Sequence, residues 1–91
     1  MKTFAVDRSL GDISLEDLGG AQAAAIREAS AATERGVAVT YVRSVFRPES
    51  GSCTCLFEAG DKADVEDVNK AAGLPYNQIV EALDIPHPER A

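Results

Sequence analysis

Residues 37–59 read VAVTYVRSVFRPESGSCTCLFEA. β-Branched and aromatic side chains crowd both ends of the stretch, and such side chains suit a pleated, half-buried surface. Its middle, Pro48-Glu49-Ser50-Gly51, is turn chemistry: proline pre-sets φ and glycine tolerates positive φ. The stretch therefore reads as a β-hairpin, with strands over 37–47 and 52–59. Counting by twos along the first strand, Val37, Val39, Tyr41, Arg43 and Val45 share one face. Ala38, Thr40, Val42, Ser44 and Phe46 share the other.

Working outward from the hairpin, residues 3–8 (TFAVDR) alternate, with Phe4, Val6 and Arg8 on one side of a half-buried strand. Gly11-Asp12 marks a turn. Ser14 to Arg35 reads as a helix: Ser14 with Asp17 three residues on is close to a capping box, and the body is rich in alanine. Gly19-Gly20 costs about 1 kcal/mol per glycine in a helix interior, so the helix is expected to begin late or bend there. Leu15, Leu18, Ala25 and Ala29, with Ile26 beside them, form the expected buried stripe. Downstream, Asp61 to Ala72 reads as a second helix, burying Val65, Val68 and Ala72 and stopped by Gly73 and Pro75. Residues 78–85 (QIVEALDI) are the last strand, with Ile79, Glu81, Leu83 and Ile85 on one face, and 86–91 (PHPERA) is a polar tail.

The order β-α-β-β-α-β is that of an α+β, ferredoxin-like domain over residues 1–85: a four-stranded antiparallel sheet with both helices on one face. A chain of 91 residues has room for one core, and 45% hydrophobic residues can fill it. A net charge of −6, from 9 basic and 15 acidic residues, disfavours nucleic acid and anionic membrane surfaces as partners. No apolar run approaches the roughly 20 residues that span a bilayer, and no leader pattern opens the chain, so a cytoplasmic protein is expected. One histidine excludes His-rich metal sites and argues against a Ser-His-Asp triad.

Helices cover one sheet face only, yet the strands carry apolar residues at both parities: Val45 and Phe46, Leu56 and Phe57, Ile79 and Val80. A sheet apolar on both sides needs two covers. A second copy of the same sheet supplies the other, so a homodimer of the α/β-barrel type is expected.

Candidate chemistry falls in three groups. Cys53 and Cys55, two apart on a strand, point the same way and are weak candidates for a soft metal; the ordinary reading, small buried hydrophobes, is favoured. Glu58 and Glu81 each interrupt an apolar strand, and strands three and four both flank strand one. The two carboxylates, with Asp7 and Arg8 between them, are therefore expected to approach one another, as an acid–base pair or a cation site. Tyr41 and Arg43, read as sharing a face, suit an anionic or aromatic small molecule. Asn69 on the second helix either caps or faces a pocket, with a surface position as the ordinary alternative. His87, between two prolines, belongs to the solvated tail.

The strings YVRSVFRPESGSCTCLFEA and VNKAAGLPYNQIVEALDI resemble a family of small bacterial domains of unknown function that includes nickel-binding ferredoxin-like proteins. The most specific pieces are Cys55 to Glu58, Ala72-Gly73-Leu74-Pro75 and Ile79-Val80-Glu81. The resemblance implies the ferredoxin-like fold and dimerisation, and it brings in nickel as the cofactor to test. The nickel-binding branch is similar but richer in histidine, including positions where this chain has Asn69 and Leu74, so no nickel ligand carries over. The expected function is a small dimeric binding protein holding a small molecule, or a metal ion, in a sheet-lined cleft through Tyr41, Arg43, Glu58, Asn69 and Glu81. The alternatives are a small cofactor-independent enzyme using Glu58 or Glu81 as acid or base, and a nickel-response protein.

Overall fold

The structure, a computed structural model, describes residues 1–90; Ala91, the end of the polar tail, lies outside the described residues. The elements in order are β1 (Lys2–Ser9), α1 (Leu15–Glu34), β2 (Val39–Arg47), β3 (Ser52–Ala59), α2 (Lys62–Ala71) and β4 (Gln78–Ala82), with a 3-10 turn at Pro88–Arg90. The strands lie in the order β2-β3-β1-β4 and every neighbouring pair is antiparallel. This is the βαββαβ, ferredoxin-like arrangement.

Burial settles which face the helices cover. Phe4, Val6, Cys53, Cys55, Phe57, Ala59 and Ile79 are buried beneath Ala25, Ala29 and Ala32 of α1 and Val65 and Val68 of α2. Thr54, Leu56 and Glu58 of β3 alternate with the buried set and so belong to the open face.

The Ser14 hydroxyl accepts from the Asp17 N–H at 3.0 Å, and Glu16 and Asp17 lie at the positive end of α1. The helix then runs unbroken through Gly19-Gly20, against the expectation of a late start or a bend. A good cap and an alanine-rich body packed on the sheet outweigh the propensity cost. The buried stripe also differs from expectation. Ala25, Ala29 and Ala32 press the C-terminal half of α1 close to β2, whereas Leu15 is 81% exposed and Ile26 45%. Small side chains allow close approach at one end of the helix; at the other, bulkier residues stand over a cleft.

In the second strand the simple period of two breaks. Tyr41 pairs with Phe57, but Arg43 pairs with Leu56, so Val42 is the extra residue of a β-bulge. The bulge moves Ser44 and Phe46 onto the helix-covered face with Val39 and Tyr41, and sends Arg43 and Val45 to the open face.

The hairpin turn closes against the β1–α1 turn, where Leu10 N–H donates to the Gly51 carbonyl at 2.8 Å. Gly51 has φ +73, and a Cβ there would run into the backbone of Gly11, so this position requires glycine on two counts.

The last strand ends at Ala82, where its final pair with β1 is Thr3–Ala82, rather than at residue 85. Asp84 instead pairs with Arg43. Since β4 and β2 are opposite edges of the sheet, this contact draws the chain after β4 back across the open face, leaving Leu83 and Ile85 exposed. No described helix is long and apolar enough to cross a membrane.

Candidate functional site

A cleft of about 290 Å³ opens between the N-terminal half of α1 and the sheet. Its apolar walls include Leu10, Leu15, Leu18, Phe46 and Leu74. Its polar groups arrive from four elements: Arg8 from β1, Gln22 from α1, Tyr41 and Ser44 from β2, and Cys53 and Cys55 from β3. The bulge at Val42 is what places Tyr41 and Ser44 together, because without it they would lie on opposite faces.

The polar groups form one directed chain. Gln22 Nε2 donates to the Tyr41 hydroxyl at 3.1 Å, Tyr41 Oη lies 2.6 Å from Ser44 Oγ, and Ser44 Oγ donates to Cys55 Sγ at 3.0 Å. Because the Ser44 proton is committed to Cys55, the Tyr41 hydroxyl is the donor in the central bond. The Tyr41 ring is also held edge-on to Phe57, with ring centroids 5.6 Å apart. Cys55 Sγ in turn lies 3.8 Å from Cys53 Sγ, and both thiols are free and buried. Burial, reinforced by the neighbouring Cys55, pushes the Cys53 thiol up to about 11. Arg8, opposite Cys53 in the sheet, pulls weakly the other way. Cys53 is therefore a neutral thiol at physiological pH, poorly suited to act as nucleophile or metal ligand.

Arg8 is 3% exposed. Its Nη2 donates to Asn69 Oδ1 at 2.8 Å and its Nη1 to the Pro75 carbonyl at 3.1 Å. Asn69 is wholly buried, and its Nδ2 donates to the Val65 carbonyl at 2.8 Å. It is thus no surface residue: it stands behind Arg8 rather than in the cleft wall.

Of the residues singled out from sequence, the fold brings Tyr41, Cys53 and Cys55 together here, with Asn69 one contact away. It separates the others. Arg43 does not share a face with Tyr41, because the bulge turns it to the open side, where it pairs with Asp84. Glu58 and Glu81 do not approach one another. Glu58 is exposed on the open face opposite Thr3. Glu81 sits opposite Phe4 on the helix side of an edge strand, 3.8 Å from Lys2 Nζ. Asp7 is at the far end of β1, accepting from Thr54 and Gln78, each at 2.8 Å, and these bonds hold its carboxyl below the usual carboxylate range. Neither glutamate borders the cleft, so neither is placed to act as acid or base there.

Sequence reasoning passed over Gln22, Ser44 and the importance of Arg8. The signal for Arg8 was present, because it continues the face of Phe4 and Val6, and a charge in line with an apolar face marks a buried cation. Ser44 depended on the bulge, which leaves no mark in the local pattern.

Among the described residues, no group of three or more His, Cys, Asp or Glu side chains could hold a metal ion. The paired thiols stand beside a buried cation with one of them held protonated, so the donors of this chain do not fit a nickel ion.

Fold and cleft together define a small ferredoxin-like α+β domain with a ligand-sized recess under the N-terminal half of its first helix. The chain belongs to the SCO4226-like family of nickel responsive proteins, whose model matches residues 4–82. The crystal structure of SCO4226 from Streptomyces coelicolor A3(2) is similar, with a TM-score of 0.73 and 26% sequence identity, covering 91% of this chain and 99% of that one. No curated protein matches the chain.

Proposed function

We propose that this protein is a small homodimeric binding protein that holds a small organic molecule in the cleft between α1 and the sheet. The observation that carries the reading is the cleft itself: apolar walls around a few convergent polar groups, the usual composition of a ligand site. At about 290 Å³ it suits a small ligand rather than a drug-sized one. Dimerisation is supported by the open face. Val45 is 54% exposed and Val80 43%, with Leu56 between them in the sheet and Leu83 and Ile85 exposed beside it. A second copy covering that face would bury them.

A mixed-charge fragment library screened by ¹⁵N-resolved NMR tests the binding reading. Shifts confined to Leu10, Leu18, Gln22, Tyr41 and Ser44 are expected. A library that perturbs none of them would overturn it.

A part in nickel response is the second reading, favoured by membership of the family. Stoichiometric nickel in the purified protein, together with a rise in melting temperature on adding the ion, would support it. Neither result is expected from the donors of a single chain.

A further inference from the structure

Arg8 is a buried cation without an anion. Among the described residues no carboxylate forms an ion pair with it, although the chain carries 15 acidic residues. Its two hydrogen-bond partners, Asn69 Oδ1 and the Pro75 carbonyl, are neutral. A guanidinium has five N–H donors in a fixed fork, so three have no partner among the described residues. Yet no buried polar atom of the described residues is both sealed from solvent and unpartnered. Nε has no partner among the described residues, so it is not sealed, and Arg8 lines the wall of the cleft. Burying an uncompensated charge costs several kcal/mol, and such charges in folded proteins are normally paired. No Asp, Glu or Lys lines the cleft, so nothing there competes for Arg8 or cancels its field.

We propose that the cleft takes a small organic monoanion, its carboxylate seated on the unshared N–H groups of Arg8 and its apolar body among Leu10, Leu15, Leu18 and Leu74. The proposal rests on the binding reading above and names the ligand class for that cleft. An ionised acceptor makes hydrogen bonds to guanidinium roughly twice as strong as a neutral one does, and the fork matches the carboxylate. The Tyr41–Ser44–Cys55 chain spends its protons internally, leaving Arg8 as the donor that selects charge. The body must be apolar because the leucines offer it no hydrogen bond. The overall charge of −6 repels anions at long range, so any preference for an acid must come from this local site.

The test compares matched acids and alcohols by NMR titration of the full chain: hexanoate with hexanol, octanoate with octanol, benzoate with benzyl alcohol. At least one acid is expected to bind tenfold or more tighter than its alcohol, with shifts at Leu18, Tyr41 and Ser44. Asn69→Asp supplies Arg8 with a fixed counter-charge but gives up the bond that Nδ2 donates to the Val65 carbonyl. With its fold checked by circular dichroism, it is expected to weaken acid binding at least tenfold and by a larger factor than alcohol binding. Because replacing Arg8 itself can unfold the chain, the wild-type comparison stands without any variant. Acids and alcohols binding alike in the cleft would overturn the anion assignment and leave the cleft reading intact. So would fragments that bind in the cleft when no acid does, or acids that shift only surface lysines and arginines. If no probe of any charge perturbs the cleft, both readings fall.

Discussion

Arg8 on β1 and Asn69 on α2 are joined by a buried hydrogen bond of 2.8 Å between side chains 61 positions apart. The bond ties the second helix to the centre of the sheet and aims the guanidinium along the floor of the cleft. Asn69 serves both neighbours at once, accepting from Arg8 and donating to the Val65 carbonyl one helical turn back.

Asn69→Ala is therefore expected to destabilise the chain by about 2–4 kcal/mol, because it leaves a buried guanidinium short of an acceptor. Urea denaturation checks this. A loss below about 0.5 kcal/mol would show that the Arg8–Asn69 contact carries little of the fold.

Gly51→Ala is expected to cost about 2 kcal/mol or more, combining positive φ with a collision against the Gly11 backbone. Gly73 has a similar φ of +70 but nothing near its missing Cβ, so Gly73→Ala should cost only about 1 kcal/mol. Thermal melts of the two variants side by side separate strain from collision; equal losses would contradict the close approach of the two turns.

The Cys53 thiol titrates near 11 in the folded chain against an ordinary 9.0. Between those values the unfolded chain has lost the proton and the folded chain has kept it. Stability from this group is thus full below pH 9 and falls as pH rises to about 11, by at most about 1.4 kcal/mol per pH unit. Denaturation of wild type and Cys53→Ala across that window should show the steeper alkaline loss in wild type; parallel curves would refute it. Alkylation of native Cys53 at pH 8 should likewise be far slower than in urea.

Val45→Asp puts a charge on the open sheet face, where the side chain is already 54% exposed. The far-ultraviolet circular dichroism should be unchanged. Light scattering should move from about twice 9.6 kDa to a single chain of 9.6 kDa. A wild type that is monomeric at high concentration would remove the dimer from the proposed function.

Much of the fold was legible because local rules agreed with one another. The cap at Ser14, the positive-φ glycines Gly51 in the hairpin turn and Gly73 after the second helix, and the alternation of Phe4, Val6 and Arg8 all survive in the structure. The candidate site was legible only in part. Tyr41, Cys53 and Cys55 meet in the cleft, but Glu58, Glu81 and Arg43 were grouped by strand parity alone. Parity fails where a bulge intervenes, as at Val42, and it does not say at which end of a strand two residues sit.

By itself, then, the amino-acid sequence determined the element order, the sheet topology and the excess of apolar residues on both strand parities, because these follow from periodicity and turn chemistry within short segments. Only the tertiary structure decided which parity of β3 the helices cover, that one extra residue turns Arg43 outward and Ser44 inward, and that Arg8 is buried without an anion. Those facts depend on packing between segments up to 67 positions apart, as between Arg8 and Pro75, and no local pattern encodes a contact of that range.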